Sequence, residues 1–177
     1  PAFQSKGSHA TPMILVTSSI SLFESMELIL KCYSAFKDVP GYKVVLKCHP
    51  FMPFEKINSV LQLILPNNFE ITNRPVSELI PESDALVYMS STTCIEALAM
   101  GVPAIHLNSS LFLDLNQLDA FSNTALSASG PSELAARVRE AISMDNEQLM
   151  RKQKEWKKVV DALFIKPGEF VYKLFIS

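Results

Sequence analysis

Short runs of apolar residues alternate along the chain with segments in which apolar residues recur every three or four positions. The short runs lack polar–apolar alternation and are bounded by Pro, Gly, Ser or Asn, which is typical of strands buried on both faces of a parallel sheet. We therefore predict five strands and a sixth, shorter one: residues 13–17, 42–48, 69–72, 85–89, 104–107 and 125–127.

The segments between these strands have the period of amphipathic helices. Ser21 can cap the first helix, with Glu24 as its capping-box partner. Gly101, followed by Pro103, marks the end of a later helix. The apolar face of the first helix is predicted to contain Leu22, Met26, Ile29, Leu30, Tyr33 and Phe36. The remaining helices are predicted over residues 54–64, 77–80, 92–100, 131–144 and 146–164.

Strands that alternate with helices at this spacing predict parallel βαβ units. The expected product is one α/β domain over residues 13–165, a Rossmann-like doubly wound parallel sheet with helices on both faces. Residues 1–12 are expected to be a linker or disordered end, and residues 166–177 an apolar C-terminal tail. Because the chain begins Pro-Ala-Phe, we expect it to be a fragment or a processed piece.

Composition narrows the possible functions. The chain has 177 residues, 48% of them hydrophobic, and a net charge of −2, so no strong field favours nucleic acid or an anionic membrane. Its three cysteines are odd in number and lie in apolar runs, which favours reduced thiols in a cytoplasmic protein. No Cys/His pair has zinc spacing, and no apolar run predicts an integral membrane segment.

Candidate chemistry follows three of the predicted strands. Ligands of doubly wound domains bind beyond the carboxyl ends of the strands, where the strand order reverses. Thr17, Ser18 and Ser19 follow the first strand, His49 and Pro50 follow the second, and Ser90 to Thr93 follow the fourth. Because carboxyl ends of parallel strands share one edge of the sheet, we expect these residues to face one site.

The hydroxyl residues Ser90 to Thr93 have two interpretations. One of them is needed to cap the helix that follows. The others are available as hydrogen-bond donors to a phosphate at the positive end of that helix. Glu96, one turn further on, is either a solvent-facing acid of the first turn or an acceptor for paired sugar hydroxyls.

His49 is followed by Pro50, which holds the chain in an extended turn and would keep the imidazole at the sheet edge. It can contact a phosphate or act as acid or base there, or it can be a core histidine bonded to backbone. Lys47 either points the same way or forms a salt bridge. Arg74, which follows the third strand, is a candidate for anion contact.

The long loop after the fifth strand carries further candidates for substrate contact, although a solvated loop is an equal alternative. These residues are Asp114, Asn116, Gln117 and Asp119. We expect His106 to be buried structure, and Trp156 to lie on the face of an amphipathic helix. The sequence lacks G-x-G-x-x-G, the P-loop motif and G-x-S-x-G, which disfavours ordinary dinucleotide-binding enzymes, P-loop NTPases and α/β-hydrolases.

The segment from Ser90 to Pro103 resembles the nucleotide-sugar-binding segment of GT-B glycosyltransferases: a hydroxyl pair, a glutamate, Ala-Leu, then Gly-x-Pro. Residues 131–142 look like the late helix of their carboxyl-terminal domain. Lys47-Cys48-His49-Pro50 is similar to the His-Pro motif of bacterial sialyl-, polysialyl- and Kdo-type transferases, and of the glycerophosphotransferases that build teichoic acids. The resemblance covers residues 13–165 in order.

This resemblance implies one half of a GT-B fold, the C-terminal domain that binds a nucleotide-sugar donor. By the family pattern, His49, Ser90, Ser91 and Thr92 would contact the donor phosphates or nucleotide, and Glu96 would lie near the ribose or sugar. The resemblance implies no metal and no cofactor beyond the donor, for which a CMP- or CDP-linked sugar is favoured. No catalytic residue is assigned. Further candidates for donor contact are Ser18, Lys47, Arg74, Asn116 and Gln117.

The implied partners are a nucleotide-activated sugar and an N-terminal acceptor domain that is missing here, so we expect the chain to be inactive alone. The implied role is surface polysaccharide biosynthesis in the cytoplasm, at the inner membrane as a peripheral protein. Two alternatives stay open. One is a domain of a sugar-nucleotide 2-epimerase, and the other is a non-catalytic Rossmann module that binds a nucleotide or regulates a partner.

Overall fold

The computed structural model describes residues 11–113, 116–121 and 124–164. Almost all of the predicted linker, the whole predicted tail and Asp114 lie outside these residues. The described residues contain six strands and six helices, and one helical turn, Ile80–Glu82, of the 3-10 type.

The sheet is entirely parallel, with strand order β3-β2-β1-β4-β5-β6. The chain first builds outward from β1 in one direction, then returns to the other side of β1 for β4. This confirms the predicted doubly wound sheet. The strands are β1 Met13–Thr17, β2 Lys43–Lys47, β3 Phe69–Ile71, β4 Ala85–Tyr88, β5 Ala104–Leu107 and β6 Leu126–Ala128.

Helices cover both faces of the sheet, as expected. On one face, α1, α2 and α5 contribute to the core, and on the other α3, α4 and α6 do so. The helices are α1 Leu22–Phe36, α2 Phe54–Leu61, α3 Val76–Leu79, α4 Thr93–Ala99, α5 Pro131–Ser143 and α6 Asn146–Leu163.

The two faces of the sheet form two separate cores. Along β1, Ile14 and Val16 belong to the first core, whereas Met13 and Leu15 belong to the second. Because successive side chains of a strand point to opposite faces, a strand that serves two cores must be apolar at every position. This explains the apolar runs without alternation from which the strands were predicted.

Several local details differ from the sequence prediction. The second helix ends at Leu61 rather than residue 64, because Gln62 adopts a left-handed conformation (φ 54°) and Asn58 bonds to both backbone groups of Leu63. Ser21 caps α1 as predicted, but the Glu24 carboxylate accepts from the Ser19 hydroxyl instead of completing a capping box.

Helix α6 is fastened to the turn after α4 by a buried hydrogen bond. Gln153 Nε2 donates to the Gly101 carbonyl at 3.1 Å, and Trp156 Nε1 donates to the Thr124 carbonyl at 2.9 Å. Trp156 is therefore anchored in the second core, on the apolar side of the predicted amphipathic helix. Gly101 has a positive φ of 79°, and a Cβ there would lie 2.6 Å from Gln153 Nε2.

We expect Gly101→Ala to destabilise the fold more than Gly41→Ala. Both glycines have positive φ, which costs a non-glycine residue about 1–2 kcal/mol. Only Gly101 faces a buried side chain, because a Cβ at Gly41 meets nothing within 4 Å. Urea denaturation should show an additional loss of about 1–3 kcal/mol for Gly101→Ala, owing to steric overlap. Equal losses in the two variants would contradict this packing.

Candidate functional site

Several of the predicted polar residues lie at the carboxyl edge of the sheet, around the end of β1. Strand β1 lies between β2 and β4, the position at which the strand order reverses. The segments that carry Ser18, His49 and Ser90 leave the three neighbouring strands at this edge. In open α/β sheets this is the location where ligands bind.

On the β2 side, Ser18 holds the segment that carries His49. The Ser18 backbone N–H donates to the Lys47 carbonyl at 3.1 Å, and the Ser18 hydroxyl accepts from the His49 backbone N–H at 3.2 Å. The Phe51 N–H donates to His49 Nδ1 at 3.2 Å, so the proton of the neutral imidazole resides on Nε2. The ring therefore offers an Nε2–H donor from a turn that is held in place.

On the β4 side, two of the four hydroxyl residues bond within the protein. Thr17 Oγ1 lies 2.8 Å from Thr93 Oγ1, which lies 2.9 Å from Ser91 Oγ. The Ser91 hydroxyl also accepts the first helical N–H, that of Thr93, at 3.3 Å. The capping function expected of one hydroxyl thus belongs to Ser91, whereas Thr92 forms no side-chain cap bond. Within the described residues, the hydroxyls of Ser90 and Thr92 have no hydrogen-bond partner.

Glu96 is exposed on α4, and its carboxylate forms no ion pair with the part of the chain that is described. Its neighbours Ala97 and Leu98 are fully buried, so the helix keeps the acid on its outer side. This position is compatible with both interpretations made from the sequence, a solvent-facing acid and an acceptor for ligand hydroxyls.

A pocket of about 290 Å³ lies beyond β2 and β3, and we call it the His49 pocket. Lys47 lines this pocket, and its Nζ donates a hydrogen bond to the Asn73 carbonyl at 3.2 Å. Lys47 gives this pocket one cationic side chain, and Glu55 gives it one carboxylate. Its lining consists of Lys47, Cys48, His49, Pro50, Pro53, Phe54, Glu55, Ile71, Thr72 and Asn73.

A second pocket, of about 240 Å³, lies on the other side of β1, and we call it the Glu24 pocket. It contains one carboxylate, that of Glu24, to which the Ser19 hydroxyl donates at 2.8 Å. Ser90 lines this pocket rather than the His49 pocket. Its lining consists of Ser21, Glu24, Met89, Ser90, Leu107, Ser109, Phe112 and Leu113.

Glu27 supports the Glu24 pocket and was not identified from the sequence. It is 7% exposed and bonds to Lys31 Nζ, Ser109 Oγ and Ser110 N–H, each at 2.7 Å. Burial alone would raise the pKa of Glu27, but these hydrogen bonds and the Lys31 charge outweigh it and lower the pKa below 4.5. The network fastens the loop after β5 to α1. An acid within an apolar helical face, four residues before a lysine, was the available signal.

The other predicted residues have internal partners. Arg74 binds Glu82 through two nitrogens, at 2.6 and 2.8 Å, and Asn116 Oδ1 accepts from the buried Tyr88 hydroxyl at 2.7 Å. Gln117 is exposed on the loop after β5. His106 is buried beside the Tyr88 ring, at 5.2 Å between centroids, as expected of a structural histidine.

The cysteines are not activated as nucleophiles. Burial raises the pKa of Cys32 to about 12 and that of Cys94 to about 11, and burial also raises the pKa of Cys48. Thiols with raised pKa are protonated at neutral pH. Among the described residues, no group of three or more His, Cys, Asp or Glu is arranged to hold a metal ion. No helix in the described ranges is long and apolar enough to cross a bilayer.

The fold is one half of a GT-B glycosyltransferase fold. The chain superposes on CalG4, the calicheamicin glycosyltransferase, with a TM-score of 0.62 and 20% identity, covering 91% of this chain and 43% of that one. For glycosyltransferase VinC in complex with dTDP the TM-score is 0.59, with 20% identity and coverage of 92% and 41%. For the wall teichoic acid polymerase TagF it is 0.55, with 16% identity and coverage of 86% and 36%.

The chain belongs to the family described as "Putative glycosyltransferase (DUF6716)", whose model matches residues 47–140. The match runs from the His49 segment through α4 into α5. No curated protein matches the chain in sequence. The chain spans less than half the length of these solved structures.

We expect Glu27→Gln to lower the free energy of unfolding by about 1–3 kcal/mol at neutral pH, because it weakens buried hydrogen bonds to a charged group. A depressed native-state pKa stabilises the fold above the unfolded-state pKa, and this contribution disappears as the pH falls. The difference between wild type and variant should therefore shrink below about pH 4.5 in denaturant titrations.

Glu70→Gln is the matched control, since Glu70 forms an exposed ion pair with Lys43. It should cost less than about 1 kcal/mol. A Glu27→Gln effect of the same size as the control, or one that does not change with pH, would contradict the buried network.

Proposed function

We propose that this chain is the C-terminal, donor-binding half of a nucleotide-sugar-dependent glycosyltransferase, or of a related glycerophosphotransferase, in surface polysaccharide biosynthesis. The observation that carries the proposal is the concentration of available donors at one sheet edge. These are His49 Nε2–H, Lys47 and the hydroxyls of Ser90 and Thr92. The family assignment and the fold support the same class of protein.

In the proposed glycosyl transfer, an acceptor hydroxyl attacks the activated carbon of the donor sugar, the nucleotide departs with the bonding electrons, and the hydroxyl proton passes to a base or to water. Negative charge then grows on the leaving phosphate. Fixed hydrogen-bond donors and cations lower the barrier when they face the atoms on which that charge develops. Lys47 and His49 are suited to this role because the bonds from Lys47 Nζ to Asn73 and from the Phe51 N–H to His49 orient them before a ligand arrives.

Glu96 is proposed to accept hydrogen bonds from the ribose or the sugar of the donor. Its carboxylate is exposed one turn beyond the hydroxyl residues, and a carboxylate can accept two hydroxyl donors at once. Ser18 acts through its bond to the His49 segment, so we treat it as a positioning residue.

The nature of the donor is proposed from the His-Pro segment and from the relatives. VinC was solved with dTDP, and TagF with CDPG. Both relatives support a nucleotide-linked donor, and the likeness of Lys47 to Pro50 to the His-Pro motif favours a CMP- or CDP-linked one. We propose that no metal ion or other cofactor is required.

We further propose that a separate N-terminal domain supplies the acceptor site, and that the present chain alone is inactive. Support comes from its length, which is less than half that of the solved glycosyltransferases. The free cysteines Cys32, Cys48 and Cys94 support a reducing, cytoplasmic location. Peripheral association with the inner membrane is the corresponding proposal for an enzyme of surface polysaccharides.

A second candidate is one half of a sugar-nucleotide 2-epimerase. The chain also superposes on a "putative UDP-N-acetylglucosamine 2-epimerase" from Listeria monocytogenes, with a TM-score of 0.54, 14% identity and coverage of 91% and 48%. That class usually carries further acids and histidines in its cleft, whereas the whole sequence has three histidines. A non-catalytic nucleotide-binding module is the third candidate. Full-length sequence with a second set of βα repeats would favour the two-domain enzymes.

We expect CDP to bind the chain and His49→Ala to weaken that binding about tenfold or more, because a hydrogen bond to a charged phosphate is lost. Ser90→Ala should weaken it by a smaller factor. Isothermal titration with CMP, CDP, UDP and GDP measures both effects. Ser91→Ala should also weaken binding, but it removes the bond to the Thr93 N–H as well.

His49→Asn is the control that distinguishes a contact made by the imidazole ring from an effect of the turn that carries it. Asparagine can still accept from the Phe51 N–H, so it preserves the turn but lacks Nε2–H. Binding as weak as in His49→Ala supports contact by the imidazole. Wild-type affinity in His49→Asn would overturn the role of the ring, and no binding of any nucleotide at millimolar concentration would overturn the donor site.

A further inference from the structure

The Glu24 pocket opens onto a patch of exposed apolar side chains. Phe23 and Phe112 lie with ring centroids 6.4 Å apart at the mouth of the pocket, and Phe112 and Leu113 belong both to the pocket lining and to the patch. We call this surface the Phe112 patch, and its exposed fractions are large: Ile20 59%, Phe23 62%, Leu111 73%, Phe112 46% and Leu113 83%.

The patch is held in shape by polar bonds beneath it. The Ser109 hydroxyl accepts from the N–H groups of Leu111 and Phe112, at 3.1 and 2.9 Å, and also donates to Glu27. Lys31 Nζ bonds to the Asn108 carbonyl at 2.8 Å. The apolar side chains are therefore presented to solvent by a braced loop rather than covered by the rest of the described chain.

The charges of the pocket exclude the anionic part of a nucleotide sugar. Among the described residues, its lining contains the Glu24 carboxylate and no lysine, arginine or histidine. The nearest lysine of the supporting network, Lys31, is occupied by Glu27. A phosphate would be repelled here, whereas the Glu24 carboxylate suits a ligand that donates hydrogen bonds from uncharged hydroxyls. The His49 pocket also contains a carboxylate, that of Glu55, but it adds the Lys47 ammonium group, which a phosphate can contact.

We propose that the Glu24 pocket and the Phe112 patch together bind an amphiphilic acceptor, with its hydroxylated head group on Glu24 and Ser90 and its hydrocarbon chain on Phe112, Leu113 and Phe23. The binding claim follows from the pocket itself, and the acceptor role rests on the proposed function. The donor-binding half then contributes to acceptor recognition, and Ser90, which lines this pocket, is the residue that both proposals share. Such an acceptor is a lipid-linked sugar or polyol.

The test uses the 177-residue chain and n-octyl β-D-glucopyranoside below its critical micelle concentration, followed by ¹H–¹⁵N chemical shifts. We expect saturable shifts at Glu24, Ser90, Ser109 and Leu113. Methyl β-D-glucopyranoside and 1-octanol, which carry only the head or only the chain, should each bind at least about tenfold more weakly, because each lacks one set of contacts.

Three variants assign the contacts. Phe112→Ser should weaken octyl glucoside binding about tenfold, since it removes apolar contact area. Glu24→Gln should weaken it about fivefold to tenfold through the loss of a charge-assisted acceptor. Ser19→Ala removes the internal partner of Glu24 but leaves the carboxylate, so it should retain most of the affinity. Ile64→Ser is the surface control, because Ile64 is 87% exposed at the amino edge of the sheet.

Several results would overturn the proposal. Shifts spread over the whole surface, or an equal effect of Ile64→Ser, would mean non-specific detergent binding. Loss of affinity in Ser19→Ala equal to that in Glu24→Gln would mean that Glu24 is only structural. Sedimentation that shows a dimer, converted to a monomer by Phe112→Ser, would assign the patch to a second copy of the chain.

Nucleotide titrations on the same samples distinguish failure of the proposed acceptor pocket from failure of the proposed donor site. CDP shifts at His49 without octyl glucoside shifts at Glu24 would leave the donor site intact and overturn the acceptor site. CDP shifts centred on Glu24 would overturn the acceptor site by assigning this pocket to the donor. Octyl glucoside binding without any nucleotide binding would preserve the amphiphile pocket and overturn the donor site.

Discussion

Burial of β1 on both faces is the constraint on which the site depends. Ile14, Leu15 and Val16 are at most 1% exposed, so the strand has no polar group to offer until it reaches its carboxyl end. Thr17 and Ser18 are the first polar side chains along it, and they bond in opposite directions. Thr17 contacts Thr93 beyond β4, and Ser18 contacts the His49 segment beyond β2. One strand end thereby positions the polar residues on both of its sides.

Strand β1 also separates the two pockets at this edge of the sheet. The His49 pocket on the β2 side has a lysine, an imidazole and the Glu55 carboxylate, whereas the Glu24 pocket on the β4 and β5 side has one carboxylate and several apolar side chains. In the proposed transferase, the pocket that contains Lys47 would receive the anionic donor, and the Glu24 pocket would receive the hydroxyl-bearing acceptor. The loop after β5, which lines the Glu24 pocket, is bonded to Glu27 through Ser109 and Ser110.

The fold could be predicted from the sequence because two-sided burial leaves a strong pattern. Apolar runs without alternation predicted the strands, and the helical period between them predicted the helices. Gly101 marked the end of a helix. Each of these signals depends on neighbouring residues in the sequence, and the described structure follows them closely. The resemblance of Ser90 to Pro103 to GT-B enzymes pointed to the same edge of the sheet. Boundaries were less predictable where a side chain competed with the helix, as Asn58 does at the end of α2.

Partners of polar side chains could not be predicted, because they depend on long-range contacts. Arg74 is bonded to Glu82, eight residues away, and Ser91 bonds through Thr93 to Thr17, which lies 76 residues before Thr93 in the sequence. Glu27 was not identified from the sequence, because its donors Ser109 and Ser110 come from the loop after β5. The sequence therefore indicated the region of the site better than the role of each hydroxyl and charge within it.

The most direct test of the donor edge is a ¹H–¹⁵N chemical-shift map of the chain saturated with CDP. We expect the largest changes at Ser18, His49, Ser90 and Thr92, at the carboxyl ends of β1, β2 and β4. Gly41 and Gly101, at the opposite edge of the sheet, should stay unchanged. Changes centred on that opposite edge, or no change at saturating nucleotide, would contradict the assignment of this edge to the donor.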